Sequence, residues 1–258
     1  MHSPSITYEG LNENFQLQVA RNQIEGHRNV TVFGYNPDVD ITEVTVWPLP
    51  SLISHPLAAL QMSVSSTDVN DKAGDTGART IVIQGLNAAF DEVSETVTLN
   101  GQTAVTTSTA FLRVNSAYVA TAGSSNGAEG DIYIGTGVVT AGVPATVYNV
   151  IKFDFNTTVT GHYTVPRNHT AYLMQGLFSA GQAVGTTQVR GRLLTSTADL
   201  IRRTAAVTTV NNGVADYQFE YPIGIPEKSD IEATAIGSAN NNGVSCMFIL
   251  LLVRNNPA

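Results

Sequence analysis

The sequence is poor in charged side chains, and this scarcity limits what the protein can bind. Asp, Glu, Lys and Arg make up 13% of its 258 residues, about half the usual share. The net charge is −8 and the 13 basic residues are scattered, whereas proteins that bind nucleic-acid backbones cluster their Lys and Arg. We therefore expect no direct contact with nucleic acid. A weakly charged surface suits a protein that meets other subunits, and it is equally typical of an ordinary β-rich protein.

Cysteine and long apolar runs are also scarce. The single cysteine, Cys246, allows no internal disulfide and no thiolate metal cluster, and its apolar surroundings predict a small buried core residue. The longest apolar run, residues 247–253, is far shorter than the roughly 18 apolar residues that a membrane helix needs. No basic-then-apolar segment opens the sequence, so we expect neither secretion by a standard signal nor membrane anchoring.

Helical periodicity is nearly absent, and residues 57–62 offer one short helical turn at most. Strict alternation of apolar and polar residues recurs instead, a pattern that buries one face of a strand. The alternating runs are residues 80–84, 95–99, 111–115 and 131–134. Turn signals separate them; Asn100-Gly101, for example, favours the positive φ values of a tight hairpin. We predict an all-β fold, an antiparallel β-sandwich of jelly-roll type with an extended N-terminal arm.

Three zones divide the chain. Residues 1–56 mix polar stretches with prolines, and we interpret them as an arm with edge strands that the rest of the fold does not need. Residues 57–258 form the predicted sandwich. No charged or Pro-Gly-Ser linker separates residues 57–152 from residues 153–258, so these are either one continuous sandwich or two packed halves.

No pattern predicts a catalytic, cofactor or metal site. The five histidines show no metal-ligand spacing on one face. The acidic loop at residues 68–75 offers oxygen ligands at alternate positions but lacks the EF-hand spacing, which favours a solvated turn over a calcium site. A carboxylate pair drawn from Asp38, Asp40, Glu92 and Glu95 would suit glycoside hydrolysis, but no aromatic cleft signature accompanies these residues. We therefore predict no catalytic residue, no cofactor and no metal.

Aromatic side chains near the prolines of the arm form the candidate interface. Trp47 is the only tryptophan, and tryptophan is enriched at binding hot spots. Two interpretations stand for it: an anchor between subunits, or a cover over the open end of the sandwich. Phe33 and Tyr35, just before Asn36-Pro37, allow the same two interpretations.

A last group of patterns consists of strand and turn motifs. They are TGARTIVIQGLN at 76–87, EVSETVTLNG at 92–101 and FLRVN at 111–115, with FGYNP at 33–37, YTVP at 163–166 and PIGIPEKSDIE at 222–232. Together they resemble a recurring segment of virion structural proteins of tailed bacteriophages of marine and freshwater bacteria, including cyanophages. The resemblance extends from about residue 30 to the end of the sequence. Because the motifs are strand and turn patterns, it transfers no catalytic residue.

The resemblance implies a non-enzymatic structural protein that is made in the host cytoplasm and incorporated into the virion. We expect a capsid cement or decoration protein, a homotrimer or dimer on the surface of the capsid. Its partner would be the major capsid protein, whose subunits it bridges. The alternative is a tail component, such as a fibre, baseplate or glycan-binding host-contact protein, in which loop tyrosines such as Tyr118 or Tyr133 stack on sugars. A jelly-roll carbohydrate-active enzyme that uses Glu92 or Glu95 is the third hypothesis.

Overall fold

A computed structural model describes residues 13–182, 185, 187–197 and 201–255, and these residues form an all-β protein with antiparallel sheets. The predicted fold class is confirmed at this level. Residues 1–12 of the expected arm lie outside the described residues. The helix is α1 (Phe15–Ala20), and the strands are β1 (His27–Val39), β2 (Val44–Thr45), β3 (Leu60–Ser66), β4 (Ala78–Leu86), β5 (Glu92–Thr98), β6 (Val105–Phe111), β7 (Arg113–Ala122), β8 (Ile132–Thr140), β9 (Val143–Ile151), β10 (His162–Thr164), β11 (His169–Gly181), β12 (Gln188–Ser196), β13 (Arg203–Asn211), β14 (Gly213–Ile225), β15 (Asp230–Gly237) and β16 (Asn242–Arg254).

Local sequence explains most of these boundaries. Gly101 adopts a φ of +59° and Asn212 a φ of 43°, so both turns have the positive φ expected of them. The hairpin predicted at Asn100-Gly101 is wrong, however, because β5 pairs with β4 and β6 pairs with β3, in different sheets. Asn212 likewise connects strands of two different sheets, β13 and β14. The helical turn considered at residues 57–62 is wrong: residues 57–59 are irregular and Leu60 begins β3. The helix that does form, α1, is capped by Asn14, whose side chain accepts from the backbone N–H of Leu17.

Two sheets share the larger of two apolar cores. One has the strand order β1-β16-β11-β14, and the other has β15, β12 and β13 side by side, with β2 and β10 both pairing along the free edge of β15. Their buried side chains form one cluster that extends from Val32 to Val46 and from Tyr163 to Leu252. We call residues 27–53 together with residues 162–254 the split unit, because the chain leaves it and returns.

The second core lies within the intervening chain. The sheets β6-β3-β8-β9 and β5-β4-β7 enclose buried side chains between Met62 and Ile151. We call residues 60–151 the inserted unit. Residues 157–160 then lead back to the split unit and bond to both units: the backbone N–H of Tyr35 donates to Val159 O, and the backbone N–H of Thr158 donates to Ala117 O.

The expected boundary at residue 56 needs correction. Residues 27–46 are not an arm outside a sandwich, since β1 pairs with β16 from His27 to Val39 and its inward side chains help to form the larger core. The physical reason is the alternation of β1, which buries Val32 and Val39 while its other face stays exposed. β1 is nevertheless an edge strand of its sheet.

Within the described part of the chain, no helix is long and apolar enough to cross a bilayer.

Candidate functional site

Of the three expected interface residues, Trp47 does not reach the surface. Its side chain is 1% exposed, and its indole N–H donates to the backbone oxygen of Ser51 at 2.7 Å. The indole is thus buried with its polar atom satisfied, which is the usual state of a core tryptophan. Trp47 therefore stabilises the split unit, and the interface role expected for it does not fit this position.

Phe33 and Tyr35 occupy different environments on the same face of β1. Phe33 is 57% exposed and lies opposite Met247 of β16. Tyr35 is half-buried, and its ring meets the ring of Phe155 edge-on, with centroids 5.7 Å apart. Phe33 thus remains available to a partner, whereas Tyr35 packs within the molecule.

The sheet face that carries Phe33 is apolar along its middle. On β16 every second residue from Val244 to Leu252 is buried in the core, yet the alternate residues, which point away from the core, are also apolar. We define the outer face as the outward-pointing side chains of this sheet. They are His27, Asn29, Thr31, Phe33 and Tyr35 on β1; Ser245, Met247, Ile249, Leu251 and Val253 on β16; Thr170, Tyr172, Gln175, Leu177 and Ser179 on β11; and Val214, Asp216 and Gln218 on β14.

Formal charge is nearly missing from the outer face. Asp216 is the one Asp, Glu, Lys or Arg among the paired side chains that define it, and its carboxylate accepts from the side-chain amide of Gln175 at 3.0 Å. Two further exposed carboxylates, Asp38 on β1 and Glu220 on β14, lie on the same strands outside the regular pairing. The remaining polar groups are hydroxyls, amides and one imidazole, such as the Ser179 and Ser245 hydroxyls, which bond to each other at 2.6 Å. An apolar centre with few charged residues is typical of the core of a protein–protein interface.

A buried ion pair joins the two units. Arg113, at the start of β7, donates two hydrogen bonds to the carboxylate of Asp230, at the start of β15, at 2.8 and 2.9 Å. The Thr164 hydroxyl donates to the same carboxylate at 2.5 Å. Burial alone would raise the pKa of Asp230, but its hydrogen bonds from His162 and Arg113 outweigh that effect and hold the pKa far below its ordinary value. The pair is therefore ionised at any physiological pH.

Two histidines lie beside this pair. The rings of His55 and His162 have centroids 4.3 Å apart, and His162 Nε2 is 3.5 Å from Asp230 Oδ1. Burial and the neighbouring His162 keep the pKa of His55 well below its ordinary value. His162 is 1% exposed, and its Nδ1 has no hydrogen-bond partner among the described residues.

This cluster has the residue types of a metal site but a poor charge balance for one. The ligand atoms of His55, His162 and Asp230 lie within 4.8 Å of one another. Both oxygens of Asp230 already accept from Arg113, however, and a second arginine, Arg202, pairs with Glu232 nearby. Two arginines and two carboxylates balance each other, so a divalent cation would add buried charge with no counter-charge. We interpret the cluster as the joint between the two units.

Two of the four carboxylates considered for glycoside hydrolysis, Glu92 and Glu95, have structural partners. Glu92 forms an ion pair with Arg28 across the two units. Glu95 accepts from the backbone N–H groups of Ser108 and Thr109; slight burial would raise the pKa of Glu95, but these donors lower it. Glu95, with its lowered pKa, does not fit the acid of glycoside hydrolysis, which needs a raised pKa.

The acidic loop at residues 68–75 is organised around Asp71, which sequence reasoning did not single out. Asp71 is fully buried and accepts from the Ser66 hydroxyl and from the backbone N–H groups of Ala78, Glu129 and Gly130. Four donors satisfy its oxygens, which leaves little lone-pair capacity for a calcium ion. The sequence signal would have been the small and turn-forming residues that surround an acidic residue.

Cys246 is a buried core residue, as predicted. It is 4% exposed and belongs to the larger core. Burial raises the pKa of its thiol to about 12, so the thiol stays protonated and unreactive at neutral pH.

A polar groove of about 680 Å³ lies between the units. Residues 157–160 close one end, and the pair Arg28–Glu92 lies at the other. One wall is the edge of β1 from Arg28 to Phe33, and the opposite wall is the sheet β5-β4-β7. That wall consists largely of hydroxyl and amide side chains: Gln84, Ser94, Asn115 and Ser116. Tyr118 and Tyr133, expected to stack on sugars, do not line the groove; Tyr118 is 41% exposed elsewhere on β7.

Comparisons with known proteins give little help. No family model matches the sequence, and no curated protein matches it at a significant level. Two solved structures, described as the 2.6 Å structure of infectious bursal virus derived T=1 particles and the structure of infectious bursal disease virus Gt strain, align over 91% and 90% of this chain and over 75% and 78% of theirs. Both are 8% identical to it, with TM-scores of 0.20 and 0.19. Values this low carry no argument about fold or function.

Proposed function

We propose that the chain is a non-enzymatic structural subunit of a virion, working as a capsid cement or decoration protein that bridges major capsid subunits. The observation that carries the proposal is the outer face, where Phe33 is 57% exposed and Met247, Ile249 and Leu251 are partly exposed, forming an apolar centre without formal charge. Monomeric soluble proteins rarely leave such a contiguous face exposed unless it binds a partner. A protein whose task is to attach to other subunits needs a surface of this kind.

The topology of the split unit supports the same proposal, and we propose that this unit is a jelly roll. If β10 is set aside and its other strands are numbered one to eight along the chain, the two sheets have the orders 1-8-3-6 and 2-7-4-5. These are the orders that two interlocked Greek keys produce, and the jelly roll recurs in viral capsid proteins and in lectins. Because one fold serves many functions, the topology supports the virion role only together with the outer face.

The carboxylates support a non-enzymatic role. Each of those considered above (Asp71, Glu92, Glu95 and Asp230) is already bonded to an arginine or to several backbone N–H groups. A general acid or base must be free to exchange a proton with a substrate. These groups instead stabilise the fold.

The copy number of this chain in purified virions tests the proposal. We expect quantitative mass spectrometry to give a copy number that scales with the capsid lattice, and cryo-EM to place its density on the outside of the shell. Absence of the chain from purified virions would contradict a structural role. A copy number that matches the symmetry of the tail would favour the second candidate.

That second candidate is a tail component that binds host-surface glycans, and the groove between the units favours it. Hydroxyl and amide side chains along one wall can exchange hydrogen bonds with sugar hydroxyls, and a volume of about 680 Å³ is within the range of small-ligand sites. Glycan-array binding by the purified chain tests it. Binding that is lost in Ser94→Ala, an exposed position in the groove, but kept in Ser124→Ala, an exposed position outside it, would support this function.

A further inference from the structure

We propose that the outer face is a contact surface between two copies of this chain, packed sheet on sheet. The inference deepens the proposed function, on which it rests, because it names the partner of the surface. It assigns the expected self-association to β1, β16, β11 and β14 and leaves the inserted unit outside the contact.

The strongest observation is that β16 is apolar on both faces. Side chains of a strand alternate between the two faces of a sheet, so a sheet with one solvated face shows alternating polarity. In β16 the inward set contains Phe248 and Leu250, while the outward set contains Met247, Ile249 and Leu251. Continuous apolar strands are typical of sheets that are covered on both sides. In one chain the inward set is buried, whereas the outward set stays partly exposed.

The chain itself shows that this face accepts an apolar cover. The short helix α1 packs at the end of the outer face, where Phe15 meets the ring of His27 edge-on, with centroids 6.0 Å apart. Val19 of the same helix is 2% exposed. Among the described residues this cover ends near His27, and Phe33, on the same strand, remains 57% exposed.

The size of the face fits a second copy. Four strands at a spacing of about 4.8 Å, and about nine residues along β16, give a flat footprint on the order of 600 Å². Stable interfaces bury about 800 Å² on each partner, and a corrugated face has more accessible area than its footprint. Two such sheets can stack at about 10 Å with a crossing angle near −30°.

Charge also favours a second copy over a charged partner. Each chain carries a net charge of −8, so two copies repel each other wherever their acidic surfaces meet. The middle of the outer face is where that repulsion is weakest, because its carboxylates Asp216 and Glu220 lie on the edge strand β14, away from β16. A two-fold axis through the face would place its apolar centre against itself, as an isologous contact requires.

The test measures self-association of the purified full chain by sedimentation equilibrium over a concentration series. We expect the wild-type chain to associate. Phe33→Glu and Met247→Glu should each weaken the association on the order of 100-fold, because burying like charges across an interface costs several kcal/mol. The matched control is Val138→Glu, at a position 79% exposed on the inserted unit, which should associate like the wild type. A melting temperature equal to that of the wild type shows that a variant is folded. If Met247→Glu unfolds, Phe33→Glu still provides the test, because Phe33 is exposed and its replacement leaves the core intact.

Two results would overturn the inference. One is a wild-type chain that stays monomeric at every soluble concentration; the other is association that neither substitution weakens. A chain that begins at Glu13 tests whether residues 1–12, rather than a second copy, occupy the outer face. If this shortened chain associates while the full chain does not, residues 1–12 cover the face in the monomer and the proposed contact between copies is wrong. None of these outcomes bears on the virion role, which the copy number in purified virions tests. The proposed contact and the proposed function can therefore fail separately.

Discussion

At the scale of single residues, the most informative side chains are charged groups that the fold buries. Arg113, Asp230 and Asp71 are each nearly or fully buried, and buried charges persist only where partners satisfy them. Arg113 was visible in the sequence as a charge within the apolar run from Phe111 to Val114. Its partner was not, because Asp230 lies in a distant segment and sequence alone does not reveal which strands meet.

Replacing Asp71 with alanine should destabilise the inserted unit by about 3–5 kcal/mol, because several buried donors lose their charged acceptor at once. Urea unfolding followed by circular dichroism measures the loss. Asp154→Ala, a change of the same kind at an exposed position, should stay within about 0.5 kcal/mol of the wild type. A similar small effect for Asp71→Ala would contradict the central role of this carboxylate.

The pH dependence of stability should follow His55. Its folded pKa is lowered, so between that value and the unfolded pKa of about 6.5 the unfolded chain binds more protons, and stability falls as pH drops below about 6.5. Asp230, also lowered, adds a further loss below its unfolded pKa of about 3.9. Glu232 has a raised pKa and opposes the trend, since its stabilising contribution is present in acid and is lost as pH rises through its folded pKa.

Thermal melts at pH 7 and pH 5 measure this effect. The wild-type chain should lose melting temperature on acidification, and His55→Gln should lose less of it. His169→Gln is the control, since His169 lies in β11 away from the cluster. Equal losses in the wild type and in His55→Gln would remove His55 from the explanation.

At the scale of elements, alternation predicted strands well and their partners poorly. The patterns at 80–84, 95–99 and 131–134 correspond to β4, β5 and β8, because side-chain period is a local property. The role of β1 was missed, since its partner β16 lies at the opposite end of the sequence. Apolar residues on both faces of β16 were visible as an uninterrupted run, but periodicity does not say what covers such a strand.

Two deletions separate the arm hypothesis from the observed fold. Removal of residues 1–50 takes away β1 and β2, opens the larger core and should prevent folding of the split unit. Removal of residues 1–12 leaves every described strand in place and should leave a folded chain. Limited proteolysis with circular dichroism distinguishes them. A stable, protease-resistant product without residues 1–50 would restore the original interpretation of a dispensable arm.

At the scale of the whole molecule, the two units form one body through polar contacts as well as through chain connections. The joint combines the buried pair Arg113–Asp230 with the exposed pair Arg28–Glu92. Exposed ion pairs contribute little, about 0–1 kcal/mol. The buried pair is different, because removal of one partner leaves an uncompensated charge.

Arg113→Met should therefore cost about 3–5 kcal/mol, while the double change Arg113→Met with Asp230→Asn should cost less than the two single changes added together. We expect calorimetry to show one transition for the wild type and a broadened or divided transition for Arg113→Met, as the units lose their coupling. Arg28→Met is the matched control at the exposed pair, with an expected cost below about 1 kcal/mol. Strict additivity in the double variant would contradict direct coupling.

The pairing of β1 with β16 also has a consequence for the order of events during synthesis. The split unit cannot close while the inserted unit is emerging from the ribosome, since the strand that completes its first sheet is translated last among those described. The same strand supplies the middle of the outer face. A chain that lacks this strand would thus have neither a closed core nor the surface proposed for pairing, and it could not take part in the proposed contact between copies.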